Sequence, residues 1–160
     1  PRDKPYAWAF IVYVCYSVSR YVVEMFGLPA NLARILVVPA YAGLLCVSLD
    51  LLIDPVATDP SVGAWVWLRK GRYFGIPLTN FIGWFFTGYS ITFLFTAYSL
   101  LCQGSLVRTE LWPYSMIAYI GFFVVCLSDA VVLRKYKVIA IGVAVTFTLL
   151  SPVAVCTFIR

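Results

Sequence analysis

Three aspartates stand near the ends of two apolar stretches of this chain. Asp50 and Asp54 lie four residues apart near the end of one stretch, and Asp129 lies near the end of another, five residues before Arg134. On a helix a spacing of four sets two side chains on one face. Ionisable groups at membrane depth are costly, which makes them candidates for function. Two carboxyls sharing a low-dielectric site resist double ionisation, so one keeps its proton as an acid while the other stays charged as a base. Such an acid beside a lipid-filled groove can protonate what aqueous acids seldom reach, an alkene for example. The competing reading is a structural network in which Asp54 meets an arginine of the following loop and Asp129 complements Lys135. Arg20 and Glu24 are also spaced i, i+4 with Arg34 near them, and there a structural ion pair is the simpler expectation.

Aromatic residues supply the second ingredient. Phe81, Trp84, Phe85, Phe86, Tyr89, Phe93, Phe95 and Tyr98 crowd one stretch, so rings occur on every face of a helix there. Packing accounts for such a run, and so does a flat hydrophobic groove for a long conjugated chain, whose ring faces also steady a carbocation. Gly83, Thr87, Gly88 and Ser90 allow a ligand or a neighbouring helix to come close.

The elements that must position these groups are membrane spans. The chain has 160 residues, 62% hydrophobic and 12% charged, with mean hydropathy +0.92. Soluble domains run at about 45–50% apolar and about 25% charged, and a chain this short has no interior able to hide the difference. Nucleic-acid binding, cytosolic catalysis and a disulfide-stapled secreted module are therefore poor readings. Five apolar stretches are predicted as transmembrane helices, at about 6–26, 32–53, 80–101, 113–133 and 138–158, giving an all-α polytopic membrane protein with one domain over 1–160. The second is expected to stop at Asp54-Pro55, because a residue before proline is biased away from helix.

Alternating spans put Arg2, Lys4, Arg69, Lys70, Arg72, Arg134, Lys135 and Lys137 on one side, against Arg20, Arg34, Arg108 and Arg160 on the other. Eight against four predicts a cytoplasmic N-terminus in the cell membrane. Trp65, Trp67, Tyr73, Trp112 and Tyr114 fall at predicted interfaces, where aromatic belts form. There is no histidine, and the five cysteines (15, 46, 102, 126 and 156) are dispersed without a C-x-x-C. That set is neither a zinc site nor a disulfide framework, so buried thiols and no metal are expected.

One segment carries a more specific signal. It reads Leu49-Asp50-Leu51-Leu52-Ile53-Asp54-Pro55-Val56-Ala57, then Trp65-Val66-Trp67, then Gly71-Arg72-Tyr73-Phe74-Gly75-Ile76-Pro77-Leu78-Thr79-Asn80-Phe81-Ile82-Gly83-Trp84-Phe85. It resembles the membrane-embedded carotenoid biosynthesis protein family that includes the carotenoid hydratases of the bacterioruberin and γ-carotene pathways. The family's block runs D-x-x-x-D-P-x-A, W-x-W and G-x-Y-[YF]-G-[IV]-P-x-x-N-F-x-G-W, and each position is matched in order and spacing. Family members usually carry further spans before this block, with a Glu and a Pro-Phe-Gly stretch; Glu24-Met25-Phe26-Gly27 is a weak echo of them. The chain is thus expected to be either the C-terminal part of a longer chain or a short member.

The resemblance implies acid-catalysed addition of water to a terminal C=C of an acyclic carotenoid end group, giving a tertiary alcohol. In that reading Asp50, Asp54 and Asn80 are catalytic, one Asp as the acid and the other, with Asn80, placing and deprotonating the water. Trp65, Trp67, Tyr73, Phe81, Trp84, Phe85, Tyr89 and Asp129 bind the substrate, and Trp84, Phe85 or Tyr73 stabilise the cation. No cofactor is needed; the partners are the carotenoid, membrane lipids and other membrane subunits, with no nucleic acid. The alternative is a non-catalytic carotenoid-binding or structural subunit of a larger membrane complex. A proton relay through the three acids is weaker, because they gather at one end of the bundle and relays usually sit near the midplane.

Overall fold

A computed structural model describes residues 4–27, 32–102 and 112–158. Arg2, Arg108 and Arg160, counted above by side of the membrane, lie outside the described residues. Five helices follow one another: α1 (Lys4–Met25), α2 (Leu32–Ala57), α3 (Leu78–Leu101), α4 (Trp112–Val132) and α5 (Tyr136–Phe158). Four contain stretches long and apolar enough to cross a membrane: Tyr6–Met25, Arg34–Ala57, Pro113–Val132 and Tyr136–Val155. With 24 residues α3 matches them in length, but it is not among these four.

The second helix is the hub and packs on all four others. Its buried Val38, Ala42, Leu45, Cys46, Leu49 and Leu52 form much of the core. Small residues let the backbones approach. Phe85 of α3 lies over Gly43, Cys46 sits against Gly88, and Leu52 sits against Gly142 of α5. The Tyr41 hydroxyl donates to the Leu149 carbonyl, so α2 runs antiparallel to α5 as well as to α3. On the α4 side, the buried hydroxyls of Ser48 and Tyr119 share a hydrogen bond of 2.5 Å, and the Tyr119 hydroxyl also reaches the Leu45 carbonyl at 3.3 Å, so the buried tyrosine is satisfied.

In one respect α2 departs from expectation: it continues through Asp54-Pro55 to Ala57. A proline inside a helix withholds the N–H that would serve the carbonyl four residues earlier. Here that carbonyl is Leu51 O, and the Tyr73 hydroxyl donates to it at 3.1 Å. Thr58 then closes the helix, its backbone N–H and its hydroxyl both donating to Asp54 O. In α5 the carbonyl that Pro152 leaves, Thr148 O, accepts from Ser151 Oγ at 2.8 Å. Replacing Tyr73 by Phe is expected to cost about 1 kcal/mol. In a Pro55→Ala background, where the alanine restores the missing N–H, the same change should cost less. A double-mutant cycle of thermal unfolding in detergent checks this; equal costs in the two backgrounds would rule out the substitution of one donor for the other.

Beyond α2, Lys135 Nζ meets Asp59 Oδ2 at 2.7 Å, tying the α4–α5 turn to the end of the hub. Lys135, and after it Ser61, hold the Asp59 carboxyl well below the usual range. Lys135 therefore pairs with Asp59 and not with Asp129 as expected.

Candidate active site

The i, i+4 spacing of Asp50 and Asp54 does set both carboxyls on one side of α2, where α3 begins. Both are fully buried, at 0% and 1% exposure, so each needs donors to offset lost hydration. Asn80, in the first turn of α3, serves both. Its Nδ2 donates to Asp50 Oδ2 at 2.6 Å and to Asp54 Oδ2 at 2.7 Å. One amide nitrogen with two hydrogens thus bridges two carboxyl groups.

The remaining donors are shared unequally. Trp65 Nε1 donates to Asp54 Oδ1 at 2.8 Å and Trp67 Nε1 to Asp54 Oδ2 at 3.2 Å. Residues two apart in a non-helical stretch can project to one side, and the W-x-W spacing delivers an indole N–H to each oxygen. Asp54 therefore accepts three hydrogen bonds. Asp50 accepts one, and among the described residues no donor reaches its Oδ1. The arginine expected to meet Asp54 does not; Arg69, Lys70 and Arg72 are exposed on the loop.

A tight hairpin carries Tyr73 to its place. Gly71 N–H donates to Gly75 O and Ile76 N–H to Tyr73 O, with φ of 48° at Phe74 and 89° at Gly75. Two positive φ values mark a primed type of turn, which favours glycine. At Gly71 the requirement is space: a Cβ there would lie 2.0 Å from Ile76 O. The hairpin presses the Tyr73 ring edge-on against Phe81, centroids 5.2 Å apart. Burial above all pushes the Tyr73 phenol up to about 12, so it stays a donor across the physiological range.

Asp54 borders a groove of about 480 Å³ lined by Trp8 and Ile11 of α1, Ile53 of α2, Trp65, Val66 and Trp67 of the loop, Asn80 and Trp84 of α3, and Phe122 of α4, with Ala7 at one edge. Asp54 is the carboxyl in the wall; Asp50 stands behind it. Of the expected residues, Asp54, Asn80, Trp65, Trp67 and Trp84 meet here. Tyr73 and Phe81 support the site from below the wall. Phe85 covers Gly43, and Tyr89 stacks on Phe85 and Phe93 at 5.9 and 6.0 Å, making an aromatic file away from this groove. Asp129 is exposed on α4 and is bonded to neither carboxyl of the pair. Trp8 and Phe122 are groove residues that the sequence pattern does not single out. Trp8 packs on Trp84 with centroids 4.3 Å apart and the rings tilted by 32°. Its one sequence signal is membership of a stripe of period four, Trp8, Val12, Tyr16 and Arg20.

On the far side of Trp67 a second hollow, about 480 Å³, is lined by Thr58, Lys70, Gly71 and Phe74 among others. The indole of Trp67 thus lines both a loop pocket bearing a lysine and the groove bearing Asp54.

No curated protein and no solved structure matches the chain. A sequence model of one family, described as carotenoid biosynthesis protein, matches residues 1–151. The match runs from before α1 into α5, well beyond the 49–85 block that forms the carboxyl site. With nearly its whole length matched and its acids, indoles and Asn80 gathered as one site, the chain belongs to the carotenoid biosynthesis protein family.

Proposed function

We propose that this membrane protein of carotenoid biosynthesis is a hydratase, adding water across a terminal C=C of an acyclic carotenoid end group to give a tertiary alcohol. One observation supports the reading above others: two fully buried carboxyls are bridged by one amide and unequally supplied with donors, and one of them, Asp54, stands in the wall of a groove lined by tryptophans. A scaffold has no need of such a pair, since an unsatisfied buried carboxyl oxygen is costly.

The resting pair holds one proton. Asp54, with three donors, is the ionised member, and the open Oδ1 of Asp50 is the place for the proton. The pair delivers that proton to the less substituted carbon of the alkene, and the π electrons form the new C–H bond. The tertiary cation left behind lies against the Asp54 carboxylate and the faces of Trp84 and Trp8. Water attacks the cation, its oxygen forming the C–O bond, and the released proton returns to the pair. The pair begins and ends with one proton, so no oxidant or reductant is consumed. Water comes from the loop pocket behind Trp67, while the polyene lies in the apolar groove.

The reading places the protein in the cytoplasmic membrane with the 58–77 loop inside, where water and basic residues face the cytosol. A cysteine placed at exposed Ser61 should then react with an impermeant label only from that side. To test the activity, the wild-type protein is expressed in a host that accumulates an acyclic carotenoid. The expected pigment has gained the elements of water. Unaltered pigment co-purifying in stoichiometric amount, with other membrane subunits, would instead support a pigment-binding role and refute the hydratase.

A further inference from the structure

A separate hollow of about 400 Å³ lies where the hairpin meets the α4–α5 turn. Its walls are Phe74 of the hairpin, Arg134 and Lys135 of the turn, and Tyr136, Lys137 and Val138 at the start of α5. That volume is in the range of small-molecule sites, about 300–1,000 Å³. Three cationic side chains line it, and no acid does. Lys135 is committed to Asp59 at 2.7 Å. Arg134 and Lys137 are exposed and pair with no acid among the described residues. The hollow thus keeps two uncompensated positive charges.

The backbone is strained on both sides of this hollow. Phe74 and Arg134, with φ of 48° and 55°, are the two non-glycine residues of positive φ among the described residues, and both line it. Arg134 closes α4: its N–H donates to Val131 O, and the Lys135 N–H donates to Ala130 O. Helices that end this way usually have glycine at the left-handed position, because a side chain there is costly. Strain of this kind gathers at ligand clamps. An arginine at 134 gives up stability and sets a guanidinium on the hollow. Across from it, Phe74 packs edge-on against Tyr73 at 4.8 Å. An occupant of the hollow therefore also backs the hairpin that brings Tyr73 to Leu51 O.

We infer that this hollow binds the phosphodiester headgroup of an anionic phospholipid from the surrounding membrane, held by Arg134 and Lys137. A guanidinium and an ammonium suit the oxygens of one phosphate, and basic pockets between spans are a recurring kind of headgroup site. The setting favours a lipid over a soluble phosphate. The exposed rings of Phe74 and Tyr136 suit headgroup depth. Exposed Val131 and Val132 end α4 just before Arg134 and offer acyl chains an apolar surface. Such a site is independent of the chemistry at Asp54.

The test uses purified protein in neutral detergent, with retained lipid read by native mass spectrometry. Phosphatidylglycerol and phosphatidylcholine of equal chain length share the phosphodiester and differ in net charge. The wild-type protein is expected to prefer phosphatidylglycerol about 30-fold, about fivefold for each free cation, the worth of one basic residue near an anionic surface. Arg134→Gln and Lys137→Gln should each cut that preference about fivefold. A variant combining Arg69→Gln and Arg72→Gln loses two charges from the exposed loop and none from the hollow, and should keep the preference. Arg134→Gly should unfold at a higher temperature than the wild type in lipid-free detergent and still lose the fivefold, which separates lost binding from a damaged fold. Equal retention of the two lipids overturns the inference. So does an equal fall in the loop variant, since a diffuse field of charge would then account for the preference. Displacement of the lipid by inorganic phosphate would assign the hollow to a soluble anion and overturn the lipid site.

Discussion

Asp50→Asn protein is expected to fold as the wild type does and to form at least about 100-fold less hydrated product, the scale of a lost general acid. The geometry explains the first half. The introduced amide oxygen can keep the bond from Asn80 Nδ2, and the introduced NH₂ takes the position of Oδ1, which accepts no hydrogen bond. The second half follows because the amide cannot give up a proton. Asp54→Asn should lose product to a similar extent but with some loss of stability. Asp54 accepts from Trp65, Trp67 and Asn80, and an amide replaces one of those acceptor oxygens by a donor. Thermal unfolding in detergent and pigment analysis separate the two effects. Product at wild-type levels from Asp50→Asn would mean that Asp50 holds no proton used in the reaction.

The second large effect is remote from the groove. Gly71→Ala places a methyl group 2.0 Å from Ile76 O and 2.4 Å from the Cα of Pro77. These are backbone atoms of the hairpin, which cannot turn aside as a side chain would. We expect a cost of about 1–3 kcal/mol, loss of the Tyr73 bond to Leu51 O, and a fall in product as the loop leading to Asn80 shifts. Gly121→Ala on α4 is the control. A Cβ there meets nothing within 4 Å, and alanine is the better helix former by about 1 kcal/mol. It should leave activity unchanged and stability equal or higher. If both variants behave alike, the hairpin does not need a glycine at 71.

The features legible in the sequence are those set by local spacing. Hydropathy locates the five helices to within a few residues, and the four-residue separation of Asp50 and Asp54 foretells a shared face. What the sequence hides depends on contacts distant along the chain. The end of α2 runs past its expected stop because the carbonyl that Pro55 leaves is served by Tyr73, 22 residues later. The donors to Asp54 are indoles in place of an arginine, and indole N–H groups do not show as charges in a sequence. Depth groups Asp129 with the pair, but its position on α4 turns it outward. Trp8 and Phe122 become groove residues only when α1 and α4 are packed on α2.

The unequal donor supply gives a physical account of why both acids are needed. A single buried carboxylate with three donors is a satisfied base with no proton to give. A single buried carboxyl with one donor is an acid with nothing beside it to hold the cation. Asn80 couples the two and carries no charge of its own.

Isotopic labelling tests the central claim most directly. Membranes containing the protein are supplied with an unlabelled acyclic carotenoid in water enriched in ¹⁸O and deuterium. Acid-catalysed hydration predicts one ¹⁸O on the tertiary carbon and one deuterium on the adjacent, formerly alkenic carbon, with neither label introduced by Asp50→Asn protein. A hydroxyl whose oxygen comes from dioxygen, or a product without deuterium at the neighbouring carbon, would contradict hydration by the carboxyl pair.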